Sequence, residues 1–227
     1  EAFSKKYGCI AANLDIGGGT TNIAVFDCGN LVGQTCIDVG GRIMKYDEGG
    51  RITYVSKRLN DLGSVRNLHF GEGDAVSDSA LGAIGELLAD TVLDAVHQKH
   101  TDLTAISTTS SSNPVVLKEP IQFISFSGGV ADCFYGNEQD MRRFNDLGPC
   151  IAAALREKCN SESFEVVTPA ETIRATVVGA GTYMTEVSGS TISYTENLFP
   201  IKNLPVFVPS EKAEDALYEN NASMLID

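Results

Sequence analysis

Three consecutive glycines interrupt an apolar stretch near the start of the chain, LDIGGGTTNIAVF, between an aspartate and two threonines. Glycine packs no side chain and loses the most backbone entropy when it is ordered, so it is poor filling for a strand. A turn without Cβ atoms lets a phosphate group approach the backbone, where the N–H groups serve as donors. The predicted phosphate-binding residues are Gly17, Gly18, Gly19, Thr20 and Thr21.

Asp15 precedes these glycines and would by itself repel a phosphate. A Mg²⁺ ion between the carboxylate and the phosphate, usually with its water molecules, removes that conflict. We therefore predict that Asp15 carries the Mg²⁺-dependent chemistry and contacts the metal through water. We also expect the backbone of Gly18 to adopt a φ that other residues avoid. The alternative is a tight hairpin with a glycine bulge, which needs no ligand.

A second glycine turn ends another apolar strand, in the sequence FISFSGGVADCF over residues 123–134. Bare backbone at this strand end leaves room for a planar base or a ribose against Gly128 and Gly129. The alternative is an ordinary turn. Neither turn matches the P-loop or the dinucleotide fingerprint, and Ser125 rules out the GxSxG elbow of hydrolases.

The composition narrows the class of protein. The 227 residues include 17 basic and 30 acidic ones, and the net charge of −13 argues against a nucleic-acid surface. No apolar run approaches the ~20 residues that span a bilayer, and no signal segment opens the chain. The six cysteines form no CxxC pair, so we predict free thiols in a reducing cytoplasm. Because the chain begins with Glu1 and stops at Asp227, we expect it to be a piece of a longer protein.

The hydrophobic pattern predicts an α/β fold with a mixed sheet, antiparallel in its first three strands, and flanking helices. The predicted strands cover residues 9–16, 22–27, 30–39, 121–126 and 164–167, with a hairpin over 42–56. The predicted helices cover 81–96 and 149–158, and a further helix follows Thr168.

The helix after Thr168 has one nearly smooth side, formed by Ala175, Gly179, Ala180 and Gly181. Interior glycines destabilise a helix by about 1 kcal/mol each relative to alanine, so we expect another element to pack closely against it. Further along, three prolines make the sequence irregular. We therefore predict one lobe over residues 1–197 and an irregular segment over 198–227.

These motifs resemble those of the actin-like ATPase superfamily, which includes actin, DnaK-type chaperones and sugar kinases. The stretch 15–20 is similar to its second phosphate hairpin, DxGGGT, and the stretch 175–181 to its second interdomain helix. The sequence VGGR at 39–42 is similar to the glycine pair after the third strand of DnaK-type chaperones. The stretch similar to its adenosine motif is Ser127, Gly128, Gly129 and Val130. The resemblance implies an actin-like (ribonuclease-H-like) nucleotide-binding lobe with ATP and Mg²⁺ as ligands.

A narrower resemblance runs over nearly the whole chain. Stretches such as NLDIGGGTTNIAVFDCG, SFSGGVADC, DLGP, IRATVVGAG and KNLPVFVP resemble, in the same order, the ethanolamine ammonia-lyase reactivating factors. That family consists of chaperone-like ATPases. The resemblance implies that, with ATP and Mg²⁺, the bacterial protein lets the cobalamin-dependent lyase exchange a damaged cofactor for adenosylcobalamin. It also implies a cytoplasmic location, with a bacterial microcompartment as a candidate site of association.

The superfamily holds its nucleotide between two lobes, each with a phosphate hairpin. This chain contains one such hairpin, at Asp15. We therefore expect it to fold as a lobe that binds ATP weakly and has no measurable hydrolysis by itself. Two other functions remain open at this point: a small-molecule kinase of the same superfamily, and a non-catalytic scaffold module of the actin type.

Overall fold

A computed structural model describes residues 1–110, 112, 117 and 119–169. The strands are β1 (Ile10–Ile16), β2 (Thr21–Asp27), β3 (Asn30–Ile37), β4 (Met44–Tyr46), β5 (Ile52–Val55), β6 (Phe123–Ser127) and β7 (Glu165–Val166). The helices are α1 (Ala2–Tyr7), α2 (Lys57–Ser64), α3 (Asp78–Val96), α4 (Asp102–Ser107), α5 (Gly129–Tyr135) and α6 (Gly148–Cys159).

Five strands form one mixed sheet in the order β3–β2–β1–β6–β7. Strands β1, β2 and β3 are antiparallel neighbours, whereas β6 runs parallel to β1 and β7 runs parallel to β6. Strands β4 and β5 form a separate antiparallel hairpin. The predicted α/β class, with three antiparallel strands first and helices around the sheet, is confirmed.

The core lies where one face of the sheet meets helices α3 and α6. Alternate residues of β1 are buried, and Leu14 and Ile16 are fully so, while Asp15 points to the other face. The predicted apolar stripe of α3 is also buried: Leu81, Ile84, Leu88, Val92 and Val96. The period-two and period-3.6 patterns therefore placed both elements correctly.

Four short helices were not predicted: α1, α2, α4 and α5. Each has six to eight residues, too few to repeat an apolar stripe. In two of these helices, a capping side chain stabilises the N-terminus. Ser56 accepts a hydrogen bond from the Leu59 N–H at α2, and Thr101 forms a capping box with Thr104 at α4. The predicted helix after Thr168, with its smooth side at 175–181, and the segment 198–227 lie outside the described residues.

All six cysteines are free, as predicted. Burial raises the pKa of the Cys150 and Cys159 thiols to about 12, so neither is a reactive thiolate near neutral pH. In the part of the chain that the structure describes, no helix combines the length and apolar character needed to cross a membrane.

Helices α3 and α6 touch at Gly85. A Cβ atom at this position would lie 2.6 Å from the carbonyl oxygen of Cys150, closer than real side-chain contacts allow. Lys158 of α6 pairs with two carboxylates of α3, Glu86 at 2.6 Å and Asp90 at 2.9 Å. Because the neighbouring atom is a backbone carbonyl oxygen, which cannot rotate away as a side chain could, the two helices cannot accommodate a side chain at Gly85 without moving apart.

We expect Gly85→Ala to lower the free energy of unfolding by about 1–3 kcal/mol, because the added methyl group overpacks the helix contact. Gly82→Ala on the same helix is the matched control, since its Cβ would have no neighbour within 4 Å among the described residues. That substitution should raise stability by up to about 1 kcal/mol through helix propensity. Urea denaturation of both variants measures the difference. Equal effects would contradict the close approach of α3 and α6.

Candidate functional site

The two predicted glycine turns lie side by side at one edge of the sheet. Strands β1 and β6 are parallel neighbours, and Asp15 lies opposite Ser127 in their register. Gly128 has φ +85°, a conformation that favours glycine, and a Cβ there would lie 2.6 Å from Asp15 Oδ1 and 2.4 Å from the Ile16 carbonyl oxygen. Gly128 therefore packs its bare backbone directly against the predicted metal-binding carboxylate.

A third segment, residues 39–42, docks on the first glycine turn through hydrogen bonds between backbone groups. The N–H of Gly41 donates to the Gly17 carbonyl at 2.9 Å, and the N–H of Arg42 donates to the Gly18 carbonyl at 2.6 Å. A Cβ at Gly40 would lie 2.5 Å from the backbone of Gly18. The carbonyl groups of the turn are thus engaged by this segment.

Unlike the carbonyl groups, the N–H groups of Gly18 and Gly19 in the same turn do not take part in this docking. In the described residues, no acceptor is assigned to the N–H of Gly18 or Gly19. A Cβ at Gly19 would have no neighbour within 4 Å. None of the three glycines has a positive φ, so the expectation that Gly18 needs such a conformation was wrong. The close approach of the two segments requires glycine at position 40 instead, whereas a Cβ at Gly18 would make ordinary contact with Arg42 Cδ at 3.5 Å.

The threonines after the glycines have different surroundings. Thr21 is fully buried, and its hydroxyl donates to the Val39 carbonyl at 2.7 Å, which holds the docking segment in place. Thr20 is half-buried, and its carbonyl accepts a hydrogen bond from the Gly17 N–H at 2.9 Å. Of the two hydroxyls predicted to meet phosphate, that of Thr21 is therefore used inside the protein.

The residues of the second turn also differ in accessibility. Ser127 is buried and accepts a hydrogen bond from Asn13 Nδ2 at 3.0 Å. Gly129 and Val130 start helix α5, so the predicted strand-ending turn is also a helix start. Both line a cleft of about 620 Å³, together with Gly17 and Gly18 of the first turn. The tertiary structure therefore brings part of each predicted motif to one cleft, whereas Asp15, Gly19 and Thr20 are not among the residues that line it.

The rest of that cleft comes from residues that were not predicted as site residues: Gly41, Arg42, Asp132, Cys133, Gly136, Glu138, Arg143, Phe144, Asp146 and Gly148. Arg42 and Arg143 are mostly exposed, and Phe144 exposes 54% of its surface. Arg143 forms an ion pair with Glu138 at 2.5 Å. Two cations and an exposed aromatic ring beside bare glycine backbone suit a ligand with anionic and flat parts.

Asp146 is a buried carboxylate in this cleft. Its Oδ1 accepts a hydrogen bond from the Gly148 N–H at 2.9 Å, and its Oδ2 lies 3.6 Å from Arg42 Nε. Burial raises the pKa of the Asp146 carboxyl, although the Gly148 N–H, Arg42 and Lys45 act in the opposite direction. The sequence signal for this residue was the stretch DLGP, which carries no recognisable chemistry without its neighbours in space.

The sequence of this chain is similar to those of known proteins. A family model described as "Ethanolamine utilisation protein EutA" matches residues 1–226. Two curated proteins named "Ethanolamine ammonia-lyase reactivase EutA" are similar over 217 residues, one from Salmonella typhimurium at 33% identity and one from Escherichia coli at 32%. Each match covers 94% of this chain and 45% of the relative, so the chain spans about half the length of these curated relatives.

One solved structure is also similar to the chain. It is the activator of the 2-hydroxyisocaproyl-CoA dehydratase from Clostridium difficile with bound ADPNP. The match covers 81% of this chain and 65% of that one, with 15% sequence identity and a TM-score of 0.35.

We expect Gly40→Ala to lower the free energy of unfolding by about 1–3 kcal/mol, because its methyl group would collide with backbone that cannot rotate away. Gly19→Ala, whose Cβ would meet nothing within 4 Å, should change stability by less than about 0.5 kcal/mol. Urea denaturation gives both values. A tolerated Gly40→Ala would contradict the backbone docking of residues 39–42.

Asp146 should make stability depend on pH in a defined direction. Its folded pKa is raised above the ordinary 3.8, so the folded state binds the proton more tightly than the unfolded chain. Its contribution is therefore fully present below pH 3.8 and is lost as the pH rises through the folded pKa.

Asp146→Asn should remove this loss of stability at higher pH, because an amide does not ionise. Its oxygen can still accept the hydrogen bond from the Gly148 N–H. Urea unfolding at a series of pH values above 3.8 should show a flatter dependence for the variant than for the wild type. Glu72→Gln, at an exposed position, is the control for removing one acidic group. Parallel curves for Asp146→Asn and the wild type would contradict the raised pKa.

Proposed function

The chain belongs to the EutA family of ethanolamine utilisation proteins, and from this premise we propose that it is the actin-like nucleotide-binding lobe of an ATP-dependent reactivating factor. In this proposal the whole protein acts on ethanolamine ammonia-lyase and lets it exchange damaged cobalamin for adenosylcobalamin. The curated relatives carry the name of that reactivase. A cytoplasmic location and association with a bacterial microcompartment belong to the same proposal, as does the extent of the lobe, 1–197.

The observation that carries the proposal is the cradle of bare backbone between the two turns. Among the residues that the structure describes, the amides of Gly18 and Gly19 donate to no acceptor, and a Cβ at Gly19 would have no neighbour within 4 Å. The two turns and Arg42 border a cleft of about 620 Å³, which is a typical volume for a small-molecule site. A polyphosphate meets these groups as hydrogen-bond donors and a cation, which is the complementary chemistry.

Magnesium fits the same site by its ligand chemistry. The described residues contain no group of three or more His, Cys, Asp or Glu side chains that could hold a metal. Mg²⁺ typically takes one or two carboxylates and completes its shell with waters and substrate phosphates. In our proposal Asp15 is that carboxylate and contacts the metal through water.

Bound ATP would supply a phosphoanhydride whose hydrolysis drives the exchange reaction. The backbone of Gly17–Gly19 and the half-buried Thr20 would hold the phosphates, and Asp15 would orient the waters around the metal. Gly129 and Val130 would face the nucleoside, while Gly128 holds the second turn against Asp15. Thr21 and Ser127 would support the two turns without touching the nucleotide, because their hydroxyls are buried and hydrogen-bonded within the protein.

The test uses the full-length protein that carries this sequence. It is added to ethanolamine ammonia-lyase inactivated with hydroxocobalamin, together with ATP, Mg²⁺ and adenosylcobalamin. The proposal expects recovery of deaminase activity that requires both ATP and Mg²⁺. Phosphate release measured with and without hydroxyl acceptors separates this function from a small-molecule kinase. No recovery, or recovery without ATP, would contradict it.

We expect Asp15→Asn in the full-length protein to abolish ATP hydrolysis while leaving the free energy of unfolding nearly unchanged. The amide keeps the shape against which Gly128 packs but removes the charge that attracts the hydrated metal. Asp27→Asn is the matched control, because Asp27 ends β2 opposite Ile10, at the other edge of the sheet. A phosphate-release assay compares the variants. Unchanged turnover in Asp15→Asn would rule out its catalytic role.

A further inference from the structure

Arg42 is held on the first glycine turn by its backbone and its side chain together. Its N–H donates to the Gly18 carbonyl at 2.6 Å. Its aliphatic carbons cover the same residue, since a Cβ built on Gly18 would lie 3.5 Å from Arg42 Cδ. The side chain of Arg42 therefore runs along the turn whose Gly18 and Gly19 amides donate to no acceptor within the described part of the chain.

The guanidinium of Arg42 is also the least engaged among the arginines near the cleft. Arg142 donates to Asp78 and to the Val76 carbonyl, and Arg156 donates to three carbonyl groups. Arg143 is paired with Glu138 at 2.5 Å. In the described residues, the ion-pair partner of the Arg42 side chain is Asp146, and their 3.6 Å separation is longer than a hydrogen bond.

We infer that Arg42 is the side chain that binds the phosphates of the nucleotide, and that Asp146 competes with those phosphates for it; this deepens, and rests on, the proposed function. The planar guanidinium has five N–H donors and suits two oxygens of one phosphate or of neighbouring phosphates. Phosphate oxygens at the Gly18 and Gly19 amides would lie beside the part of Arg42 that covers Gly18. The turn would supply neutral donors, and Arg42 would supply the charge.

Asp146 is placed to oppose this binding. Its carboxylate is buried, is held by the Gly148 N–H at 2.9 Å, and faces the same cleft as Arg42. An ionised Asp146 attracts the guanidinium and repels a phosphate. Removing its charge should therefore release Arg42 and strengthen the binding of anionic ligands, whereas a carboxylate that merely supported the fold would weaken binding when removed.

The experiment measures the affinity of the full-length protein for MgATP and for adenosine by isothermal titration calorimetry. Arg42→Gln should weaken MgATP binding by about tenfold or more, which corresponds to a lost hydrogen bond to a charged group, and leave adenosine binding unchanged. Arg143→Gln is the matched control: the same change in a cation of the same cleft, already paired with Glu138, should weaken MgATP by less than about threefold. Asp146→Asn should bind MgATP more tightly than the wild type.

Each outcome decides between distinct statements. If the wild type binds neither MgATP nor adenosine, the proposed function fails and the role of Arg42 fails with it. If the wild type binds MgATP and Arg42→Gln binds it equally well, only the role of Arg42 is overturned. Equal losses in Arg42→Gln and Arg143→Gln would show a general charge effect, and weaker binding by Asp146→Asn would overturn the competition. Unfolding curves of each variant confirm that it is folded.

Discussion

The cleft depends on one contact, the backbone docking of residues 39–42 on the glycine turn after β1. Two hydrogen bonds join these segments, and Gly40 lies so close to Gly18 that a Cβ would overlap its carbonyl. The same segment continues the contact on its far side, where the Gly41 carbonyl accepts a hydrogen bond from the Leu147 N–H at 2.7 Å. The turn, the docking segment and the start of α6 therefore form one stack of backbone. A Cβ at Gly40 would overlap this stack, and one at Gly41 would lie only 3.2 Å from Gly148 Cα, which explains glycine at these two positions.

This stack determines how the charges of the site are arranged. The protein as a whole carries a net charge of −13, yet two mostly exposed arginines border the cleft. Three acidic residues, Asp132, Glu138 and Asp146, line the same cleft, so a phosphate would meet cations and backbone donors only where Arg42 lies beside the glycine turn. One of these acids, Asp146, is buried and has a raised pKa. In our proposal, Arg42 provides affinity for the nucleotide phosphates, and its pairing with the buried Asp146 adjusts that affinity.

Among the helices, the sequence predicted the two long ones and missed the short ones. Helix α3 and strand β1 repeat their apolar positions often enough to be recognised, and the structure confirms both. Helix α5 has seven residues and follows Gly128 directly, so its sequence reads as a turn at the end of a strand. The predicted φ of Gly18 was wrong for a related reason. Glycine can be required by conformation or by a neighbour, and the sequence does not distinguish the two.

By itself, the sequence determined where bare backbone is concentrated and which residues could do chemistry near it. The glycines at 17–19 and 128–129 and the carboxylate of Asp15 were identified from their types and spacing alone. Only the tertiary structure decided that these two turns share a cleft and that Arg42 and Asp146 belong to the site. It also decided that the Thr21 hydroxyl donates to the Val39 carbonyl rather than facing a ligand. The reason is physical. A strand or helix is encoded by neighbours in the chain, whereas contacts between distant segments arise only when the whole sheet and its helices pack together.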